Sequence, residues 1–124
     1  MQETHRTKCH AIIHTASAAA AAVGAGLAQV PVSDCVGIIP IQIAMIISLG
    51  GVFGIELTKS TARATLATTT ATMIGRGIAK LLLGWIPILG NVINAATAAG
   101  VTEMIGWSVA SEFDKQYNIY QIIL

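Results

Sequence analysis

Four residues near the start of the chain carry ligand-type side chains at helical spacing. His5 and Cys9 stand four apart, and so do His10 and His14. Residues four apart share one face of a helix, and two imidazoles on one face can chelate a metal ion. No H-E-x-x-H motif accompanies them and no second ligand cluster follows, so His10 and His14 are weak metal candidates. The simpler reading is ordinary polar residues at a helix start, and no metal or cofactor is expected. Glu103 is the other residue of interest, an isolated carboxylate sharing a helical face with Ala96, Ala99, Gly100 and Trp107. A carboxylate in apolar surroundings is a functional candidate by default. The favoured reading here is a structural ion pair or a snorkelled surface residue. Nothing supports nucleophilic catalysis or nucleotide hydrolysis: the chain has no G-x-S-x-G and no G-x-x-x-x-G-K-[ST], and Gly75-Arg76-Gly77 is too slight for a phosphate loop. No catalytic residue is named, and the chain is not expected to be an enzyme.

The two cysteines do not suggest a disulfide. With residues 9–28 helical, Cys9 and Cys35 fall near opposite ends of a helix about 28 Å long, whereas a disulfide needs Cα atoms within about 7 Å. Both read as free thiols of a reducing compartment. The seven Lys and Arg are dispersed and the net charge is +1, so there is no clustered basic face for nucleic acid. Arg6, Lys8 and the alanines after them do not make a cleaved export signal, because the apolar sequence runs on to Val32 and the rest of the chain is as apolar.

The elements that must hold these residues are set by composition. Of the 124 residues 54% are hydrophobic and 10% charged, and the mean hydropathy is +0.71. Three stretches lack any Asp, Glu, Lys or Arg: Cys9–Ser33, Cys35–Ile55 and Leu81–Thr102. Each is as long as the roughly 20 residues that a helix needs to cross a bilayer, or longer. The apolar content is mostly small, with 20 Ala and 12 Gly against six aromatic residues, so stability must come from close backbone approach.

One all-α domain over residues 1–124 is expected, a four-helix antiparallel bundle or hairpin pair of Ala/Gly-rich helices. The helices are placed at about 5–28, 34–53, 59–83 and 90–113. The tail 114–124 either extends the last helix or lies across the bundle, since Tyr117, Tyr120 and Leu124 keep register with Phe113. Ala16, Ala20, Gly24 and Ala28 form a small-residue seam on the first helix. Ser33-Asp34 is a plausible N-cap of the second, which Pro40 must kink or restart near residue 38. Gly50 and Gly54 read as a GxxxG pair at its end. On the third helix, Thr61, Thr65, Thr69, Thr72, Arg76 and Lys80 define a polar face, with Ala67, Ala71, Ile74, Ile78 and Leu81 turned inward. Gly84–Gly90, with Pro87 inside, reads as a turn. A hairpin turning near residue 86 sets Glu103 beside Thr69 and Thr72. The residues expected to make the packing or interaction surfaces are therefore Ala20, Gly24, Ala28, Gly50, Gly54, Gly100 and Glu103. Trp85, Trp107, Tyr117 and Tyr120 lie at or beyond the ends of apolar runs, where such side chains anchor at membrane interfaces or fill bundle ends.

V-P-V-S-D (30–34), I-Q-I-A-M-I (41–46), V-F-G-I (52–55), G-W-I-P-I-L-G (84–90) and A-A-T-A-A-G-V-T-E-M-I-G (95–106) occur in that order. Together they resemble the bacterial domain of unknown function 697 family, over about residues 8–113. The resemblance implies a helical, membrane-associated domain, often found C-terminal to an Era-like GTPase domain, with no established catalytic residues. The GTPase itself is lacking here, so a separate GTPase partner, an excised fragment or an independent form are all open.

The leading expectation is a non-enzymatic membrane-associated helical module of the inner (cytoplasmic) membrane, self-associating or serving a GTPase. With spans at 12–30, 36–55 and 81–101, residues 1–10 carry +1 and 56–80 carry +3, while Asp34 and the C-terminal segment total −3. That distribution places the N-terminus in the cytoplasm. Pro87, Asn91 and Asn94 count against the third span. The alternative is a cytoplasmic, soluble oligomeric bundle acting as an interaction or scaffold domain. A pore-forming or toxin-like protein is the third reading.

Overall fold

The computed structural model describes residues 1–26, 34–75 and 95–123, and side chains over 1–23, 38–73 and 98–123. Four helices and no strand occur among the described residues: α1 (Glu3–Gly26), α2 (Asp34–Val52), α3 (Lys59–Gly75) and α4 (Ala95–Ile123). The chain is all-α. The tail continues α4 to Ile123 instead of crossing the bundle, so the last helix does not end at 113. Pro40 lies inside α2 and does not restart it. Ser33, Arg76, Lys80 and the Gly84–Gly90 turn lie outside the described residues.

Three layers of contact set the helix directions. At one end the His5 ring packs against Phe53 and Tyr117, each with centroids 4.8 Å away. In the middle, Ile13 and Met45 converge on Gly106. Further along, Ala20, Ile38 and Ala98 form a separate buried cluster. As numbers rise along α1 they fall along both α2 and α4, so α1 is antiparallel to each and α2 runs parallel to α4. The short link Phe53–Thr58 then returns α3 antiparallel to α2, giving up-down-up-down connectivity. Both α2 and α4 pack against all three other helices, and α1 meets α4 most extensively.

The position of α2 explains its composition. Ile38, Gln42, Ile43, Met45, Ile46, Leu49 and Phe53 are buried around it. A helix that turns this many side chains inward is apolar over much of its circumference. Burial of each large aliphatic side chain is worth about 1.5–3 kcal/mol, so the run Cys35–Ile55 is spent largely on the bundle interior. Among the described residues no helix is long and apolar enough to cross a membrane. Of the transmembrane helices expected at 12–30, 36–55 and 81–101, the first two have no described helix to carry them, and the third lies largely outside the described residues.

The α2–α3 link shows what Gly50 and Gly54 are for. Ile55 N donates to Gly50 O (2.8 Å) and Gly54 N to Gly51 O (3.3 Å), while Gly54 takes φ +73°. This is a left-handed glycine cap closed by its two reversed bonds. A Cβ on Gly50 would meet Ile55 O at 2.8 Å and Leu57 Cδ1 at 2.9 Å. The expected GxxxG seam is thus corrected: the pair folds the chain back over its own helix end and does not seat a second helix there. Thr58 Oγ1 then accepts from Thr61 N at 3.1 Å, capping α3.

The inward face of α3 also differs from expectation. Ala62, Leu66 and Met73 are buried, Thr65, Thr69 and Thr70 are half-buried, and Ala67 and Ala71 are exposed. Alanine and threonine differ too little in hydropathy to orient a helix, so Leu66 and Met73, seven apart, decide the face. Thr65 and Thr72 hydroxyls donate to the carbonyls of Thr61 and Thr68, which lets a threonine-rich segment stay helical.

Gly54→Ala should destabilise the fold by about 1–2 kcal/mol, because a Cβ disfavours left-handed backbone. Gly51, whose Cβ would meet nothing within 4 Å among the described residues, should tolerate alanine or gain up to about 1 kcal/mol. Urea denaturation of the two variants checks the contrast; equal losses would contradict the cap.

Candidate functional site

The small-residue surface expected from the sequence exists, but largely on other residues. Along α4, Ala98, Thr102, Gly106 and Ala110 recur every four positions and all four are buried. A Cβ at Gly106 would lie 2.8 Å from Ile13 Cγ1, 3.0 Å from Met45 Sδ and 3.1 Å from Ile13 Cγ2. Three helices close on that one missing methyl. Ala20 is buried as expected, against Ile38 and Ala98. A Cβ at Gly100 would meet nothing within 4 Å among the described residues. The packing of Gly24 and Ala28 lies outside the described side chains. Gly106 was missed, although the A-x-x-x-T-x-x-x-G-x-x-x-A spacing (98–110) was there to be read.

A second feature escaped sequence reading. Gln42 on α2 and Thr102 on α4 are 1% and 0% exposed, and Gln42 Nε2 donates to Thr102 Oγ1 at 3.2 Å. Gln42 sits in the most apolar segment of the chain. A buried amide is tolerable there only because a hydroxyl on the facing helix meets it. The bond joins the two parallel helices one turn from Gly106.

The titratable candidates separate onto two faces of α1. Cys9 is fully buried and His5 half-buried, inside the aromatic contact with Phe53 and Tyr117. His5 Nδ1 and Ser17 Oγ are buried without a hydrogen-bond partner among the described residues. Burial pushes the Cys9 thiol up from its ordinary value, and the negative charge of Asp114 adds to the shift. Cys9 is a free thiol; the side chain of Cys35 lies outside the described residues. His10 and His14 point outward, exposed, with their rings stacked on each other (centroids 5.2 Å). Among the described residues no group of three or more His, Cys, Asp or Glu is placed to hold a metal ion.

Glu103 is half-buried and does not face Thr69 and Thr72. Those threonines share a groove of about 550 Å³ with Trp107, Ser108, Ser111, Glu112 and Lys115, roughly two turns further along α4. The register expected from a turn near residue 86 is thus shifted. Two more open grooves border the bundle. One of about 440 Å³ runs between α1 and α2 past Ile12, Thr15, Ala19 and Ile41. Another of about 500 Å³ lies at the bundle end between the α2–α3 link and Tyr117 and Tyr120. Beyond it α4 exposes Ile119 (58%), Tyr120 (60%), Ile122 (84%) and Ile123 (76%). Trp85 lies outside the described residues. No family model matches the chain, and no curated protein or solved structure matches it.

Gly106→Ala should cost about 1–3 kcal/mol through overpacking. Combined with Ile13→Ala, which removes both clashing γ-carbons, the double variant should lose less than the sum of the singles by at least about 0.5 kcal/mol. Strict additivity in denaturant melts would remove Ile13 as the neighbour of Gly106.

Cys9 carries a pH prediction. A thiol held neutral by the fold contributes stability that is full below its unfolded value and is lost as pH rises through the folded one. Stability should therefore fall above pH 9.0 more steeply than in Cys9→Ala. In a Cys35→Ala background, maleimide should label the native chain far more slowly than the urea-unfolded chain. Fast native labelling at neutral pH would contradict the buried thiol.

Proposed function

We propose that this chain is a non-enzymatic, membrane-associated helical module that docks on a bilayer surface through the far end of α4. The reading is carried by the exposed Ile119, Tyr120, Ile122 and Ile123. They lie within residues 116–124, which contain no Asp, Glu, Lys or Arg. A helix end of this kind can bury its apolar side chains at the headgroup boundary without desolvating a charge. Each isoleucine removed from water contributes about 1.5–3 kcal/mol, enough together for reversible binding and well short of permanent insertion. Self-association would strengthen it, because a second copy brings a second anchor to the same surface. Service to a separate GTPase is the further partner that the resemblance implies, and a pull-down retaining no GTPase would count against it.

The second reading, a soluble oligomer acting as an interaction domain, draws on the same patch. Two copies could cover their isoleucines by pairing α4 ends. Ile122 and Ile123 take no part in the buried core, so Ile122→Asp/Ile123→Asp should leave the fold intact.

In vesicle flotation with phosphatidylcholine liposomes, the unaltered chain should float, and the double variant should lose at least tenfold in partitioning. An unaltered chain that stays at the bottom at every lipid concentration defeats the membrane reading. Light scattering then decides the other: a dimer broken by the same double substitution would establish the oligomer.

A further inference from the structure

His10 and His14 carry an inference beyond docking. Both are exposed on the outer face of α1, one turn apart, with ring centroids 5.2 Å apart and planes inclined by only 11°. Among the described residues neither ring makes a hydrogen bond or ion pair. Each neutral imidazole has one nitrogen lone pair to give. The backbone beneath them is fixed, because Cys9, Ile13, Ala16 and Ser17 of the same helix are buried. Only the side-chain torsions of two solvent-facing rings need adjust to bring their nitrogens from parallel to convergent, at about 2.0–2.1 Å from a shared ion. The His10 ring also stands 6.3 Å from the Trp107 indole across the α1–α4 contact.

We propose that His10 and His14 form a bidentate site for an exchangeable divalent transition-metal ion of the Cu²⁺, Ni²⁺ and Zn²⁺ class. Imidazole donors suit these ions, whereas Mg²⁺ and Ca²⁺ take oxygen ligands. With two protein donors the remaining coordination positions go to water or to an outside ligand. The site is thus open, and it ranks ions by intrinsic affinity, with Cu²⁺ above Ni²⁺ and Zn²⁺. His5 and Cys9 belong to the inward face and take no part.

Trp107 makes the test direct. In a Trp85→Phe chain it is the remaining tryptophan of two, and a bound Cu²⁺ beside His10 should quench it. Titration with CuCl₂ at neutral pH should give saturable quenching that EDTA reverses and ZnCl₂ competes away. His14→Gln and His10→Gln should each weaken the apparent affinity tenfold or more, while His5→Gln leaves it unchanged. NiCl₂ should raise the melting temperature of the unaltered chain and not that of His14→Gln. Non-saturating quenching, or quenching and thermal shift that persist unchanged in His14→Gln, would overturn the site.

Discussion

The bundle depends on the absence of one methyl group at Gly106. Ile13 from α1 and Met45 from α2 both reach the point where a Cβ would stand, so three helix axes are drawn together at the middle of the molecule. In a chain with 20 Ala and 12 Gly, single side chains bury little area. The compensation is the number of contacts that close approach allows, each worth only about 0.1–0.2 kcal/mol. Widening the α4 seam would loosen Ile13, Met45 and their buried neighbours Ile105 and Val109 together.

Close approach also determines which polar groups the interior admits. Gln42 and Thr102 meet one turn from Gly106, where the parallel helices α2 and α4 cross the centre of the bundle. Aliphatic packing alone would tolerate a slip of α2 along α4, since Ile38, Ile43 and Ile46 present similar surfaces. The amide–hydroxyl bond does not tolerate it, because a slip leaves two buried groups unpaired at about 1–3 kcal/mol each. The apolar layers supply the stability and this bond supplies the register. Ser17 Oγ, buried without a partner among the described residues, adds no comparable constraint.

The helices and the break between α2 and α3 were legible because they rest on local chemistry. Thr58 caps α3 through its own hydroxyl, and the glycines at 50–54 end α2 through backbone geometry. The faces were harder to read. Ala67 and Ala71 looked inward on α3 only because alanine counts as apolar, while the two large side chains, Leu66 and Met73, lie on the other side. Gly50 and Gly54 have the spacing of a helix–helix seam, yet spacing does not distinguish a neighbouring helix from the chain's own return. A turn at residue 86 sets Glu103 against Thr69 and Thr72, and a shift of a few residues in the turn moves the facing partner by twice as many. The candidate pair His10 and His14 was legible as a pair. That its rings stack outward beside Trp107, with His5 and Cys9 turned in, required the packing of α1 on α4.

Of the three charge-free runs, which first suggest a membrane, Cys35–Ile55 takes on another meaning once α2 has three neighbours. Ile38, Ile43, Met45, Ile46 and Leu49 are buried against those neighbours, so most of the large apolar side chains of Cys35–Ile55 have protein around them. Burial in the bundle therefore accounts for much of its apolar content. The end of α4 is different. There α4 outruns the buried core, which reaches Phe113, with Tyr117 packed at its edge. Its isoleucines beyond that point are apolar without any neighbour of this chain among the described residues to require it. Apolar sequence explained by burial says nothing about a partner, whereas apolar sequence left in water costs solubility. This is why the docking argument rests on Ile119, Ile122 and Ile123 and not on the much longer runs that drew attention first.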